Sequence, residues 1–486
     1  MPTPSPAPND PAPSIGSSNH PKPNLEHHRK LAKALLHGHA EKSQNAARRL
    51  INYHPHFTSK TETEALAQPI KLADAQLVIA REARFDSWAK LKHYIETLNA
   101  KPQHDQDAQF EAAADHIVNG RLEQLRALLT EQPALITARS PREHHATLLH
   151  YVAANGVEDH RQKTPPNAVD IANLLIGLGA DIHARAGFYG AASGSTPLVA
   201  LVTSGHPKQA GLMEPLIRAF AAANQPLDDP QEPGAPLLNA FMFRMIDAAI
   251  TLADSGTPVI HAYHAAGLGM TDLMQQLITP GTPPTAEPGP FNGYFSKQQG
   301  GEQAAQLALV FACMAGQTTA AAKLIALGID INSAPYKGWS ALHEACVAGH
   351  LQTVKMLIEH SAAADRRDEQ WLSTPAEWAD VGGHKHIADY LIKHATVHPA
   401  DLVLYSSIEQ LIQHLNTHPE HANGINNDAT PLCYAAALGN EQLVQLLLER
   451  GSNPALTDPR GKTADHYAEI KGHTALAQHI RNASTA

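Results

Sequence analysis

Cysteine is scarce in this chain: Cys313, Cys346 and Cys433 are all there are among 486 residues. Three is an odd number, the positions are far apart, and no Cys-x-x-Cys pair occurs. A disulfide-stapled fold is therefore excluded, and the usage fits a reducing compartment. Aromatic residues make up only 5%, low for one large compact core and natural for helices rich in Ala and Leu. No apolar run reaches the roughly 20 residues of a membrane span. The N-terminal stretch "MPTPSPAPNDPAPSIGSSNHPKPN" lacks the apolar core of a secretory leader. Basic blocks are missing too: 37 Lys and Arg are mixed with 47 Asp and Glu, for a net charge of -10. Nucleic acid is not the partner such a surface implies. These absences point to a soluble, cytoplasmic chain and leave secretion without a cleaved signal open. Catalytic signatures are equally absent. There is no H-E-x-x-H, G-x-S-x-G, G-x-x-x-x-G-K-[ST] or G-x-G-x-x-G.

What is present is apolar residues at 43%, enough for most of the chain to fold, and an unusual 31 histidines. Residues 1–24 are rich in Pro, Ser and Asn. They have too little apolar surface to offset the entropy of ordering and are expected to be a disordered tail. Residues 25–99 read as a small helical module. One helix is expected over about 25–50, a second in "KLADAQLVIARE", and a third in "SWAKLKHYIETL". In the third, Trp88, Leu91, Ile95 and Leu98 share one face and Ser87 is placed to cap it. Residues 100–107 are a polar linker.

From about 108 a pattern recurs, in which a Thr or Ser is followed nine residues later by Gly. Thr147 pairs in this way with Gly156, Thr196 with Gly205, Ser340 with Gly349, Thr374 with Gly383, Thr430 with Gly439, and Thr463 with Gly472. Looser copies join Ile260 to Gly269 and Leu307 to Gly316. Thr-Pro makes a rigid entry to a short helix, with Thr as cap. Small Ala residues let neighbouring helices approach, and the Gly ends the short helix in a left-handed turn. An apolar second helix follows. Such a unit cannot bury its own faces, and stacking supplies the core. Ser340 to Thr374 and Thr430 to Thr463 each span one period of about 33 residues.

The pieces "STPLVALVTSGH", "WSALHEACVAGH", "STPAEWADVGGH", "ATPLCYAAALGN" and "KTADHYAEIKGH" resemble the ankyrin repeat. The resemblance implies an all-α solenoid of helix-turn-helix pairs with hairpin loops over 108–484. About nine or ten repeats are expected, degenerate at 185–300, preceded by the helical module and the tail. The stretch 220–260 departs most, and its boundaries are left open. "DHRQKTPPN" (159–167) is an insertion within one repeat, and "TPGTPPTAEPGPFNGYFSKQQGG" (279–301) is a long loop. The module resembles a segment that precedes ankyrin repeats in bacterial proteins. It is expected to cap the open end of the array and bury the first repeat.

The repeat also bears on chemistry. His150, His343 and His466 share one repeat position, and the resemblance implies that this His hydrogen-bonds the turn. His206, His350, His384 and His473 follow the repeat Gly. Periodic histidines of this kind are structural, and Cys346 and Cys313 fall where a small buried side chain is wanted. Tyr151, Phe311, Trp378, Tyr434 and Tyr467 share a framework position expected in the core. "HLNTHPEH" spaces His414, His418 and His421 as ligands on one helical face would be. Pro419, however, is expected to break the helix, and no fourth ligand is evident. No catalytic, cofactor or metal residue is assigned.

Partners of ankyrin proteins engage the hairpin tips and the concave side of the short helices. Carried to this chain, those positions are Tyr336, Lys337, Trp339 and Val347 in one repeat, and Gln370, Trp371 and Val381 in the next. In the last repeat they are Arg460, Lys462, Ile470 and Lys471. The expected function is a non-enzymatic, monomeric scaffold that binds a partner protein and needs no cofactor. The alternative is a host-directed bacterial effector or toxin-related protein, with the repeats as targeting arm and an activity hidden in 25–100 or 200–300. A third reading is a pH- or metal-responsive protein that uses its histidines.

Overall fold

The computed structural model describes residues 24–484 apart from 59, 84, 100–104, 189–193, 224, 282, 287–299, 372, 397–398, 406–407, 425–428 and 459–460. The Pro-rich tail up to residue 23 thus lies outside the described residues. Among those described the fold is all-α. The named strands are one two-residue antiparallel pair, Ile278–Thr279 with Thr285–Ala286. The chain forms two compact units, one of Asn24–Glu96 with Lys337–Ala486 and the other of Thr97–Tyr336.

The N-terminal helices are α1 (Leu25–Ala40), α2 (Gln44–Tyr53), α3 (Glu62–Ala67), α4 (Leu72–Glu82) and α5 (Trp88–Asn99). The single helix expected over 25–50 is two, because Lys42 takes a left-handed turn at φ 58° and Ser43 is already extended. Leu35, Leu50, Phe57, Val78 and Ile79 form their core. Arg49 donates to both carboxylate oxygens of Glu82 at 2.6 Å. Leu91 and Ile95 of α5 are buried with Trp88 packed against them, and Ser87 Oγ accepts the Lys90 N–H at 3.3 Å. The Leu98 side chain falls outside the description. These helices share their unit with the C-terminal repeats. Glu64 of α3 is held below the usual carboxylate range by hydrogen bonds from Thr61, with a smaller contribution from the Lys462 charge.

From Asp105 onward the helices come in pairs. In the first unit of repeats, Asp105–Val118 packs on Leu148–Ala153, which packs on Pro197–Val202, then Ala235–Met242, Ala262–Gly267 and Gly300–Met314. The region 200–300 is therefore a continuation of the stack. In the other unit, Ala341–Val347 packs on Pro375–Val381, and Pro431–Leu438 packs on Ala464–Ile470.

The aligned residues do what their chemistry allows. Thr147, Thr196, Ser340, Thr374, Thr430 and Thr463 are all N-caps of the short helices. The glycines nine residues on have φ between 68° and 84° at Gly156, Gly349, Gly383, Gly439 and Gly472. A side chain is costly there. At Gly349 and Gly439 a second constraint applies. A Cβ would lie 2.5 Å from the His384 ring and 2.4 Å from the His473 ring, respectively. His384 and His473 thus each pack on the glycine of the repeat before, whereas the ring against Gly156 is that of Phe188.

The other periodic histidine bridges repeats. The Thr147 N–H donates to His150 Nδ1 at 3.1 Å, and the Ser340 N–H to His343 Nδ1 at 3.4 Å. A backbone N–H can only donate, so Nδ1 accepts and Nε2 carries the proton. Nε2 donates to the carbonyl before the next cap, Ser195 for His150 and Ser373 for His343, each at 3.1 Å. Both imidazoles are fully buried. In the last repeat His466 Nε2 has no hydrogen-bond partner among the described residues, and Thr463 bonds Asp465 instead.

Between 220 and 260 the cap is Gly234 at φ 86°, followed by Pro236 in the first turn. Asp228 and Asp229 build the turn before it. The Asp228 carboxylate accepts the Gly234 N–H at 2.8 Å, and Asp229 pairs with Arg185 at 2.6 Å.

The insertion at 159–167 carries a charge into the interior. Arg161, 2% exposed, pairs with Glu111 at 2.6 Å, Asp115 at 2.8 Å and Glu158 at 3.5 Å. Arg142 joins Glu111 at 3.0 Å, and His144 lies 3.7 Å from Glu158. Burial opposes ionisation of Glu158, yet His144 and Arg161 hold its carboxyl down at about 2.

Two outcomes follow. Burial pushes His150 down to about 3 and His343 down to about 4, against about 6.5 in the unfolded chain. The unfolded state therefore binds more protons below pH 6.5, and stability is lost as pH falls through that value towards 4. At pH 5 the loss is roughly 2 kcal/mol per histidine, read as a lower urea midpoint than at pH 7.5. Removing one partner of a buried charge group leaves others unpaired, so Arg161→Met is expected to cost about 3–5 kcal/mol in the same measurement.

Candidate interaction surface

The residues expected to meet a partner lie at the hairpins and short-helix ends of the Ser340, Thr374 and Thr463 repeats. The hairpin before Thr374 is organised by Asp368, which is 1% exposed. Its carboxylate accepts the backbone N–H groups of Gln370 at 2.8 Å, Trp371 at 2.6 Å and Ser373 at 3.0 Å, and the Trp378 indole N–H at 3.1 Å. Asp458 does the same before Thr463, accepting the Lys462 N–H at 2.7 Å and the Tyr467 hydroxyl at 2.6 Å. Consecutive tips also join, with the Glu369 N–H donating to the Lys337 carbonyl at 3.0 Å.

Three of the four tryptophans of the chain gather at this tip. Trp339 stacks on Trp371 with ring centroids 5.6 Å apart and planes 10° apart, and Trp378 meets both rings, at 5.6 and 5.5 Å. Lys337 places its ammonium 5.6 Å over Trp339. Trp339 is 8% exposed rather than solvent-facing, because Trp371 and Trp378 close over it. Trp371, Tyr336, Lys337, Gln370 and Lys462 are partly buried, and Arg460 lies outside the described residues.

Apolar side chains are exposed at short-helix ends in the C-terminal repeats, while Leu72, Leu178, Ile250, Ile260 and Met270 are exposed elsewhere. Val381 is 84% exposed, Leu438 51% and Ile470 44%, while Val347 is partly buried. Each lies seven or eight residues after its cap, at Ser340, Thr374, Thr430 and Thr463. All four lie at the C-terminal ends of short helices, with Leu438 one residue further on than the others and the short helix Pro399–Tyr405 falling between the Thr374 and Thr430 repeats. Reading the sequence singled out Val347, Val381 and Ile470 but passed over Leu438. In "AAALGN" that Leu looks like framework, and its offset from the cap was the available signal.

The candidates for chemistry are packing residues. Cys313, Cys346 and Cys433 are buried free thiols, and His343 and Glu344 are fully buried. Tyr151, Phe311, Trp378 and Tyr434 are buried at their shared framework position. Gly267, in "GLGMTD", makes room for Phe241, whose ring a Cβ would meet at 2.4 Å. Among the described residues, the histidines and thiols read in the sequence do not converge on a nucleophile–base pair, but His414, His418 and His421 do come together. Burial, then the neighbouring His421 and His418, lower the His414 pKa.

A stack of capped helix pairs with apolar side chains exposed at short-helix ends defines the class, a helical repeat protein. The family model "Ankyrin repeats (3 copies)" matches residues 260–368, 309–401 and 400–484, and the chain carries ankyrin repeats. Among curated proteins, human SH3 and multiple ankyrin repeat domains protein 2 is 30% identical over 157 residues, which is 30% of this chain and 8% of that protein. Palmitoyltransferase AKR1 of Lachancea kluyveri is 25% identical over 159 residues, 29% of this chain and 21% of that protein. Human protein phosphatase 1 regulatory subunit 27 is 45% identical over 56 residues, 11% of this chain and 35% of that protein. The chain thus spans well under half the length of these relatives. Among the described residues no helix is long and apolar enough to cross a membrane.

The cluster at the tip makes the two stacked tryptophans unequal. Trp339→Ala opens a buried cavity and is expected to cost about 3–5 kcal/mol. Trp371→Ala, partly exposed, should cost clearly less. Urea unfolding followed by fluorescence compares them.

Proposed function

We propose that this chain is a non-enzymatic scaffold that binds another protein along the short-helix ends and hairpin tips of its C-terminal repeats. The observation that carries the reading is the apolar row of Val347, Val381, Leu438 and Ile470. Exposed apolar side chains grouped at one repeat position mark interaction surfaces, whereas scattered ones need no explanation. Trp371, Gln370, Lys337, Tyr336 and Lys462 belong to the hairpin-tip part of the proposed surface, and Trp339 is packing within the tip. Arg460 belongs to the same edge by repeat position. Rigid stacking holds the row in place before a partner arrives, which lowers the ordering cost of binding. Proteins with matching repeats include one named as a regulatory subunit of a phosphatase, a role exercised through another protein. The reading includes a monomeric, cytoplasmic chain of bacterial origin with no nucleic-acid contact.

The test is capture of partners from an extract of the source organism by the full chain, identified by mass spectrometry, followed by titration with the partner found. Val381→Asp with Leu438→Asp is expected to weaken that complex by about 2 kcal/mol or more, the scale of a hot spot. Far-ultraviolet circular dichroism should stay unchanged, because both side chains are exposed. Unchanged affinity would remove the row from the interface.

A further inference from the structure

The sequence "HLNTHPEH" has a structure that its spacing did not disclose. Helix Ile408–Thr417 carries His414, and its end is tied down when the His418 N–H donates to the His414 carbonyl at 2.8 Å. Pro419 does interrupt the helix, but it opens a 3-10 turn, Pro419–Asn423, that folds the chain back. The His421 N–H donates to the His418 carbonyl at 3.1 Å within that turn. The interruption therefore gathers the histidines instead of separating them. The three ring centroids form a near-equilateral triangle with sides of 5.0, 5.0 and 5.1 Å.

A carboxylate completes the group. Glu420 Oε1 lies 3.4 Å from His418 Nδ1 and 3.8 Å from His421 Nε2, and one donor atom from each residue falls within 4.8 Å of the other two. Metal bonds of about 2.1 Å at tetrahedral angles set donors about 3.4 Å apart. The group is thus close to a ligating arrangement before any ion is added. The other nitrogen of His421 is also accounted for. His421 Nδ1 lies 2.8 Å from His414 Nε2. Ligation through His421 Nε2 leaves the proton on Nδ1, which then donates to His414, the outer-shell bond that orients ligating histidines.

We propose that His418, Glu420 and His421 form a binding site for a divalent transition-metal ion, zinc foremost, with His414 holding His421 in its ligating orientation. Two imidazoles and one carboxylate are a donor set that suits zinc, and copper or nickel as competitors. His418 and Glu420 are exposed, which leaves the remaining coordination positions to water. The ion would act on the array as well as on the turn. The Ala422 carbonyl accepts the Ser452 hydroxyl at 2.8 Å, Asn423 Nδ2 donates to the Gly451 carbonyl at 2.7 Å, and Asn423 Oδ1 accepts the Asn453 N–H at 2.6 Å. The ligating turn is therefore fastened to the hairpin after the Thr430 repeat. Metal binding fixes one degenerate repeat against its better-formed neighbour.

The test is calorimetric titration of the chelator-treated full chain with zinc chloride at pH 7.5, paired with thermal unfolding with and without zinc. One dominant site per chain and a zinc-dependent rise in Tm are expected. His418→Ala with His421→Ala should abolish that site, and His414→Leu should weaken it by about 10-fold or more through loss of the orienting bond. Glu420→Gln changes one exposed side chain and isolates ligation from folding; it should weaken zinc binding by at least about 10-fold at unchanged helicity. His27→Ala with His28→Ala, a surface pair remote in sequence, should leave the titration unaltered. Absence of a dominant site in the wild type, or equal binding by wild type and Glu420→Gln, would overturn the proposal.

Discussion

The joining of each short helix to the next is the constraint on which the repeat structure turns, and in the Thr147 and Ser340 repeats it includes a bond from a buried imidazole to the carbonyl before the next cap. In the Ser340 repeat, His343 accepts a hydrogen bond from its own turn at Nδ1 and donates one from Nε2 to the Ser373 carbonyl. The first bond fixes the tautomer that makes the second possible. One side chain thus sets the local turn and the position of the neighbouring unit, in an interior where an unpaired nitrogen would be costly. Around that link the short helices stack through Ala, and the glycine turns give room to the next repeat's histidine rings. No pair could bury its apolar faces alone, so stability belongs to neighbours jointly.

Function is the counterpart of that arrangement. The interior uses the residues that look chemical, including His150, His343, Cys346 and Glu344, all of which are buried. The edge proposed for recognition instead carries Val381, Leu438 and Ile470, which are exposed. A repeat array makes this division naturally, because each period offers the same exposed position on a rigid frame. Degenerate repeats then become places where something else can be built. The insertion with Arg161 closes a buried charge group, and the turn after Thr417 gathers three histidines and Glu420.

Capping chemistry was readable from local sequence because Thr or Ser, Pro and Gly act within a few residues of themselves. That is why the repeats after Ser340 stood out and the all-α class followed. The 220–260 stretch was opaque because Gly234 replaces the hydroxyl cap, and Asp228 and Asp229 shape the turn by other means. The burial of Trp339 was not readable, since it depends on Trp371 and Trp378 of the next repeat, a contact no local pattern encodes. Pro419 was read as separating the histidines of "HLNTHPEH", whereas the turn it starts brings them together. Arg161 gave no signal, because its partners Glu111 and Asp115 belong to the preceding helix pair.

The central claim is that each repeat is stable only with its neighbour, through the stacked short helices and, in the Thr147 and Ser340 repeats, the histidine bridge. Native-state hydrogen exchange on His343→Ala tests it most directly. The account predicts that protection falls together in Ala341–Val347 and Pro375–Val381, the helices on either side of the bridge. Faster exchange confined to Ala341–Val347, with Pro375–Val381 protected as in the unmodified chain, would contradict it.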